Sequence, residues 1–217
     1  MTEDVSEALN LFARDYSPAG EAALLATGEE GLRVLLGSFL GFAKTDIRWP
    51  SGREGIDRFN HAVFLLAKAH PDVFTETVRR RGKRPPAPRT TIAVILREIA
   101  DPTTADILCS YLHDRNWLVR LHTVRALDRV GGGLAGKGID RALKDPEAYV
   151  RLVALQALSR REPRRAMSLY EQSTWRDRFL RRHKWPSHWV REVEADLADL
   201  RENRPIPETR PWRAGPL

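Results

Sequence analysis

The sequence contains very little cysteine and no long apolar run. The single cysteine, Cys109, excludes an internal disulfide framework, and the six histidines do not combine with it at metal-ligand spacing. Charged or glycine residues interrupt every apolar run well before the ~18 residues of a membrane span, and the N-terminus is acidic rather than basic and then apolar. We therefore expect a cytoplasmic protein with no membrane span and with no bound metal or cofactor.

The common catalytic signatures are also missing. The sequence has no H-E-x-x-H, G-x-S-x-G, Walker or G-x-G-x-x-G motif. The glycine-rich segment 131–138 lacks the G-K-[ST] ending of a phosphate loop, and we interpret it as a turn between repeats. Cys109, between Leu108 and Leu112, is predicted to be a buried packing residue. No catalytic residue is therefore assigned, and an enzyme is the less favoured interpretation.

Charge is distributed unevenly along the chain. The formal net charge is +7, yet residues 1–78 hold seven basic and twelve acidic residues. Residues 79–97 hold seven basic residues and no acidic ones. The basic patch in this segment consists of Arg79, Arg80, Arg81, Lys83 and Arg84. Such a patch either contacts an anionic partner such as nucleic acid or only keeps the surface solvated.

An amphipathic helical pattern recurs four times at a spacing of 31 residues. An arginine marks each copy, and the four marker arginines are Arg58, Arg89, Arg120 and Arg151. Mostly apolar or small residues follow each marker at offsets of three, four and seven, which describe one face of an α-helix. A second apolar segment precedes each of the last three markers, at 73–81, 103–112 and 134–143. Two helices in each period predict an α-solenoid.

The two best copies, 114–132 and 145–163, share a D-x(5)-R motif and resemble the HEAT family, in particular the short HEAT-like repeats of the phycobilisome-lyase type. The resemblance implies an all-α fold, a right-handed α-solenoid of HEAT-like helix pairs with capping helices at both ends. It also implies a structural ladder of hydrogen bonds between adjacent repeats, formed by Asp114, Arg120, Asp145 and Arg151. The two earlier copies carry Gly52 and Lys83 in place of the aspartate.

The repeats suggest one domain with irregular ends. We predict a single HEAT-like domain over 1–203, with its best repeats in 54–163 and terminal caps at 1–53 and 164–203. Residues 204–217 contain four prolines and are predicted to form a C-terminal tail.

The second helix of each repeat is expected to line a concave groove, as the family resemblance implies. Offsets of one, two, five, eight and nine from each marker should then face a partner. The partner-binding residues predicted in this way are Phe59, Val63, Val94, Arg97, Leu121, His122, Arg125, Arg129, Leu152, Gln156 and Arg160. Their apolar members would form an exposed stripe. The alternative is that the N- and C-terminal segments fold over this stripe and bury it.

The sequence favours a non-catalytic adaptor that binds a protein or peptide partner in this groove. The alternative is a nucleic-acid-binding protein, in the extreme a HEAT-like DNA alkylation-repair glycosylase. Trp175, Trp185 and Trp189 alternate with arginines, and such a surface can stack bases, form a protein hot spot or pack the last helices. The Trp, Asp and Arg constellation of those glycosylases finds no residue-by-residue match here. The sequence identifies neither the partner nor the oligomeric state.

Overall fold

A computed structural model describes residues 2–41, 43–81 and 88–171, together with residues 195, 198–199, 201–202 and 204. In this part of the chain all regular structure is helical and comprises eleven α-helices and one 3₁₀ turn. The predicted all-α architecture of helix pairs is therefore confirmed. Lys83 and Arg84 of the basic patch lie outside the described residues, as do the tryptophans at 175, 185, 189 and 212 and nearly all of the predicted tail.

The first four helices are α1 (Glu3–Arg14), α2 (Pro18–Ala26), α3 (Gly28–Phe39) and α4 (Gly52–Ala69). Ser17 caps α2 because its side chain accepts a hydrogen bond from the Gly20 N–H, and Pro18 occupies the first helical position. A loop at 43–51 separates α3 from α4. Helix α4 begins at Gly52. The backbone of this residue has a φ of 74°, a conformation that favours glycine.

The remaining helices form the repeats. They are α5 (Pro71–Arg81), α6 (Arg89–Ile99), the 3₁₀ turn Pro102–Thr104, α7 (Ala105–Tyr111), α8 (Trp117–Val130), α9 (Gly132–Ala142), α10 (Ala148–Arg161) and α11 (Pro163–Glu171). The four marker arginines lie on α4, α6, α8 and α10, as the 31-residue register predicts. Each marker therefore lies on the second helix of a pair.

The glycine-rich segment differs from its prediction. Most of it is the beginning of α9, and the turn is confined to Gly131 and Gly132, whose φ angles are 77° and 80°. Only these two glycines need a positive φ. The rest of the segment belongs to α9, where the small residues are accompanied by Leu134, Ala135 and Ile139. Ala135 and Ile139 are buried.

Two compact units make up the chain, Met1–Ala135 and Gly136–Leu217. In the first unit α8 packs along α6 and against α7, α3 contacts α4 and α5, and α1 contacts α2 and α4. In the second unit α10 packs on α11. The single domain over 1–203 stays a prediction.

The core of the first unit is centred on the second helices. Leu127 of α8 and Ile92 and Leu96 of α6 are completely buried. Because α8 contacts one helix on each of two sides, it buries a face much wider than the narrow stripe of a surface helix. None of the helices in the described ranges combines the length and the apolarity that a membrane crossing needs.

Candidate functional site

The D-x(5)-R motif of the third copy closes the turn that leads into α8. Arg120 donates from Nη1 to the backbone carbonyls of Asp114 and Arg115, at 2.8 and 3.2 Å. The Asp114 carboxylate in turn accepts a hydrogen bond from the Asn116 N–H at 2.8 Å. The arginine and the aspartate therefore both satisfy backbone groups of the same turn, which fixes the start of the helix.

The fourth copy repeats this geometry at the start of α10. Arg151 donates from Nη1 to the carbonyls of Asp145 and Pro146, at 2.6 and 2.9 Å. The Asp145 carboxylate accepts from the Glu147 N–H at 2.8 Å. Because two copies with different intervening residues make the same bonds, the motif itself determines the turn.

One ion pair joins neighbouring repeats. Asp114, whose side chain is only 6% exposed, pairs with the guanidinium of Arg89, the marker of the preceding copy. The sequence resemblance implied a ladder but did not name Arg89 as a partner, although its position 31 residues before Arg120 is a signal. For the first marker, Arg58, the residue of the next copy that takes the place of Asp114 is Lys83, which cannot form this ion pair. Arg58 instead donates to the carbonyls of Ala13 at 3.0 Å and Arg14 at 3.1 Å.

The predicted groove face is closed over α4. Phe59 is half-buried, with its ring centroid 5.3 Å from that of Trp49 in the 43–51 loop, and Val63 is completely buried. The loop is fixed to α1 because the Arg48 N–H donates to the Asn10 side chain at 3.1 Å. The predicted exposure is therefore wrong for Val63, whereas Phe59 is half-buried against the 43–51 loop, in line with the alternative that N-terminal segments cover the stripe.

Other members of the predicted stripe are buried in the repeats. Leu121 of α8 is 5% exposed and Leu152 of α10 is 4% exposed, so the predicted exposure is wrong for both, whereas Val94 of α6 is half-buried. The physical reason in α8 is its position between α6 and α7, which buries a wider face than the repeat offsets imply. Any role of these residues in partner binding stays a prediction.

The polar members of the groove set on α6 and α8 remain closer to the surface. Arg97, His122 and Arg125, which we call the Arg–His–Arg cluster, are each partly exposed, and Arg129 is exposed. Arg97 forms an ion pair with Glu98 at 2.8 Å. The Nδ1 atom of His122 is buried, and it has no hydrogen-bond partner among the described residues. The cluster therefore combines two guanidinium groups with a buried imidazole nitrogen.

The electrostatics of this cluster keep His122 neutral. The pKa of His122 is lowered to about 4, first by removal from water and then by the positive charges of Arg125 and Arg97. Burial likewise lowers the pKa of Arg125 to about 10, and the Arg97 charge contributes. At neutral pH the cluster consists of two charged guanidinium groups and an uncharged ring.

In the second unit, the predicted partner residues on α10 have a different environment. Gln156 and Arg160 lie four residues apart, about one helical turn, and both are half-buried. Leu152, one turn earlier, belongs to the core of this unit. The polar pair therefore borders a closed apolar surface.

The basic patch is partly engaged by acidic side chains. Arg79 donates to the Thr103 carbonyl at 3.1 Å and forms an ion pair with Asp106 at 3.4 Å. Arg80 forms an ion pair with Glu76 at 2.6 Å. The sequence count missed these pairs because both acidic partners lie outside the 79–97 segment. Arg81 is exposed at the end of α5.

No group of side chains that could hold a metal ion forms in the part of the chain that the structure describes. Cys109 is half-buried, with its sulfur 3.7 Å from the Leu134 carbonyl oxygen, and does not adjoin a metal-ligating group of three His, Cys, Asp or Glu side chains within the described residues.

Comparison with known proteins identifies the repeats. Residues 76–159 match the family model of HEAT repeats. No curated protein and no solved structure matches the chain. The family match spans part of α5 and the helices α6 to α9, and it reaches far into α10, so it includes three marker arginines. It extends to HEAT repeats in general and not to the phycobilisome-lyase type. Residues 76–159 therefore carry HEAT repeats, with their helix pairs in the predicted register.

Proposed function

We propose that this chain is a non-catalytic adaptor that binds a protein or peptide partner on the face where α6 and α8 present the Arg–His–Arg cluster. HEAT repeats are typically protein-interaction scaffolds, and the fold alone does not assign a partner. The observation that carries the proposal is the grouping of Arg97, His122 and Arg125 on two packed helices, with the His122 Nδ1 buried and without a partner in the described structure.

The burial of this cluster supports a binding role over a solvating role. Surface arginines normally extend into water, but the Arg125 side chain is desolvated enough to lower its pKa to about 10. A partner that binds on this face would meet polar side chains that two packed helices already hold in place.

The distribution of charge favours a protein over a nucleic acid. A nucleic-acid strand is held by many cations that follow its phosphates. In this chain Arg79 and Arg80 are paired with acidic side chains, and Arg97 is paired with Glu98. Alternation of positive and negative groups suits the mixed surface of a protein partner and weakens attraction to a polyanion.

An affinity capture from a lysate of the source cells tests the proposal. The bait is the full chain, with and without nuclease treatment, compared with Arg125→Gln, Arg129→Gln and the matched control Arg33→Gln on α3. Arg33 is exposed, and its ion pair within the described residues is with Glu29 of its own helix. We expect one stoichiometric protein that survives nuclease, is reduced by the two groove variants and is unchanged by the control. Recovery of nucleic acid alone contradicts the proposal.

A further inference from the structure

We propose that the aromatic face of α4 is a second docking surface, which receives a tryptophan side chain of a partner protein in place of Trp49. In this structure the 43–51 loop, which we call the strap, covers that face and fills it with its own indole. The inference goes beyond the adaptor function, because it uses neither the Arg–His–Arg cluster nor the helices that carry it. All of the residues concerned belong to the first unit.

Two phenylalanine rings, Phe12 of α1 and Phe59 of α4, form the aromatic seat around Trp49. The ring centroid of Trp49 lies 5.3 Å from that of Phe59 and 6.4 Å from that of Phe12, with interplanar angles of 79° and 73°. Such edge-to-face contacts are a favoured arrangement of aromatic pairs. Because the contacts are made by the rings alone, the seat fits an indole from another chain equally well.

The indole of Trp49 lacks a hydrogen bond when the strap is closed. Its Nε1 atom is buried and has no hydrogen-bond partner among the described residues. Buried indole N–H groups usually find an acceptor, and a hydrogen bond left unmade is unfavourable. Trp49 regains this bond from water when the strap opens. A tryptophan on a partner is not fixed by this fold at both ends of its segment, so it can bring an acceptor to its own N–H.

Glycines lie at both ends of the strap. Gly41 before it and Gly52 at its end have φ angles of 73° and 74°, a region that other residues rarely adopt. Glycine also populates the remaining backbone conformations with little strain. Rotation at these two positions can therefore move the strap away from α4 while α3 and α4 stay intact, as hinge residues do in other mobile segments.

The closed position of the strap depends on two residues outside the seat. Gly55 of α4 lets the strap approach closely, because a Cβ atom at this position would overlap the Pro50 carbonyl oxygen. Asn10 of α1 holds the strap by accepting a hydrogen bond from the Arg48 N–H at 3.1 Å. Both residues can be changed while the rings of the seat are left in place.

Hydrogen exchange of the Trp49 indole N–H, followed by nuclear magnetic resonance of the full chain, tests whether the loop opens as a strap. The signal is assigned from its absence in Trp49→Phe. After correction for intrinsic rates, we expect this N–H to exchange roughly a hundredfold faster than the backbone N–H of Leu66, a completely buried residue of α4. Equal rates contradict the inference, since the loop then opens only when α4 unfolds.

A capped peptide with the sequence of residues 45–51, TDIRWPS, tests whether the seat accepts a tryptophan from another chain. The matched control peptide has alanine in place of tryptophan. In Trp49→Ala the seat is vacated, and we expect this variant to bind the tryptophan peptide roughly tenfold more tightly than the control peptide. The original chain should bind the tryptophan peptide more weakly than the variant does, because its own strap competes. If Trp49→Ala binds neither peptide at millimolar concentration, or both equally, the inference is wrong.

Two variants that release the strap keep the test independent of Trp49→Ala. Gly55→Ala displaces the strap and Asn10→Ala removes its hydrogen bond, so they should bind the tryptophan peptide roughly tenfold and threefold more tightly than the original chain. Ile56→Ala is the matched control on α4, at a residue that is 61% exposed, and it should bind as the original chain does. Circular dichroism checks the fold of each variant. If neither release variant exceeds Ile56→Ala in affinity, the docking surface is overturned.

Sedimentation of Gly55→Ala distinguishes a partner protein from a second copy of this chain. We expect the variant to sediment as the original chain does, because the vacated seat waits for a different protein. A Gly55→Ala chain that associates with itself, and that the tryptophan peptide separates again, means that the strap of a second copy is the occupant. That result contradicts the assignment of the seat to a partner protein.

Discussion

The faces of α4 and α8 occupy the same place in the repeat register and differ in what lies on them. On α4, Phe59 lies under Trp49 of a loop that is fixed to α1. On α8, the equivalent surface carries His122 and Arg125, both partly exposed. The comparison shows that the period of a repeat predicts which residues share a face, whereas inserted segments determine whether that face can meet a partner.

The largest expected effect tests whether the apolar part of the α8 face is closed. Leu121→Asp places a carboxylate at a position that is 5% exposed, and we expect it to lower the free energy of unfolding by about 4 kcal/mol. Urea denaturation followed by circular dichroism measures this change. An unchanged midpoint means that Leu121 is open to water and that the stripe on α8 resembles an interaction surface after all.

The next prediction compares the two sides of α8 by simple truncation. Leu127→Ala removes a completely buried side chain and should cost about 3 kcal/mol, through lost burial and a residual cavity. Leu118→Ala on the same helix removes a side chain that is 42% exposed, and it should cost less than about 0.5 kcal/mol. Equal costs in the same denaturation assay contradict the orientation of α8.

The third prediction concerns the marker arginines of α4 and α6, which have different partners. Arg89 on α6 pairs with Asp114 of the next repeat, whereas Arg58 on α4 binds backbone carbonyls. Asp114→Ala leaves Arg89 without its carboxylate and the Asn116 N–H without its acceptor, and should cost about 2 kcal/mol. Asp114→Asn keeps an acceptor for the turn and should cost about half as much. Thermal unfolding of both variants separates the two contributions, and identical losses contradict this division.

Much of the fold could be predicted because the repeat is a local pattern. The marker spacing, the offsets of apolar residues and the segments before each marker depend only on helical geometry, so α4 to α10 appear where the sequence places them. In the structure α5 begins at Pro71 and the 3₁₀ turn begins at Pro102, positions that the missing N–H of proline permits. The repeat alignment predicts a turn over the whole Gly-rich segment, but positive φ is confined there to Gly131 and Gly132 and the rest of the segment is helical.

The site could be predicted only in part, because exposure depends on contacts between residues distant in sequence. The offsets placed Arg97, His122 and Arg125 on one face, but they also placed Leu121 and Val63 there. Neither the cover that Trp49 provides nor the pairing of Arg79 with Asp106 follows from periodicity. These contacts join segments of the chain that no repeat relates to each other.

The protonation of His122 provides a smaller effect, specific to the α8 face. Its pKa is lowered to about 4 in the folded protein from an ordinary value of 6.5, mainly by burial, and the charged groups that add to this are Arg125 on its own helix and Arg97 on α6. Between these values the unfolded chain binds the proton more readily, so the free energy of unfolding decreases as the pH falls from about 6.5 to 4. We expect His122 to contribute about 2 kcal/mol to this decrease.

Denaturation curves at pH 7 and pH 4.5 measure this contribution. His122→Gln should lose less stability over this range than the original chain, because glutamine does not titrate. A second variant, in which His61 on the covered face is replaced by glutamine, shows the effect of losing a histidine elsewhere. The Nδ1 of His61 bonds to the Tyr16 hydroxyl. If the original chain and His122→Gln lose the same stability, water reaches the imidazole and the α8 face is more open than the structure indicates.

The smallest expected effect concerns the basic patch, which lies apart from both faces in the sequence. If all five cations contacted phosphates of a duplex, log K would fall against log salt with a slope near −4.5. Because Arg79 and Arg80 are paired with Asp106 and Glu76, we expect the slope to be shallower than this by about 0.9 for each of these two arginines. Fluorescence anisotropy of a labelled duplex at several salt concentrations measures the slope. The double variant Arg79→Gln, Arg80→Gln should then leave the slope nearly unchanged. A clearly flatter slope means that both arginines exchange their acidic partners for phosphates, and the nucleic-acid alternative then gains support.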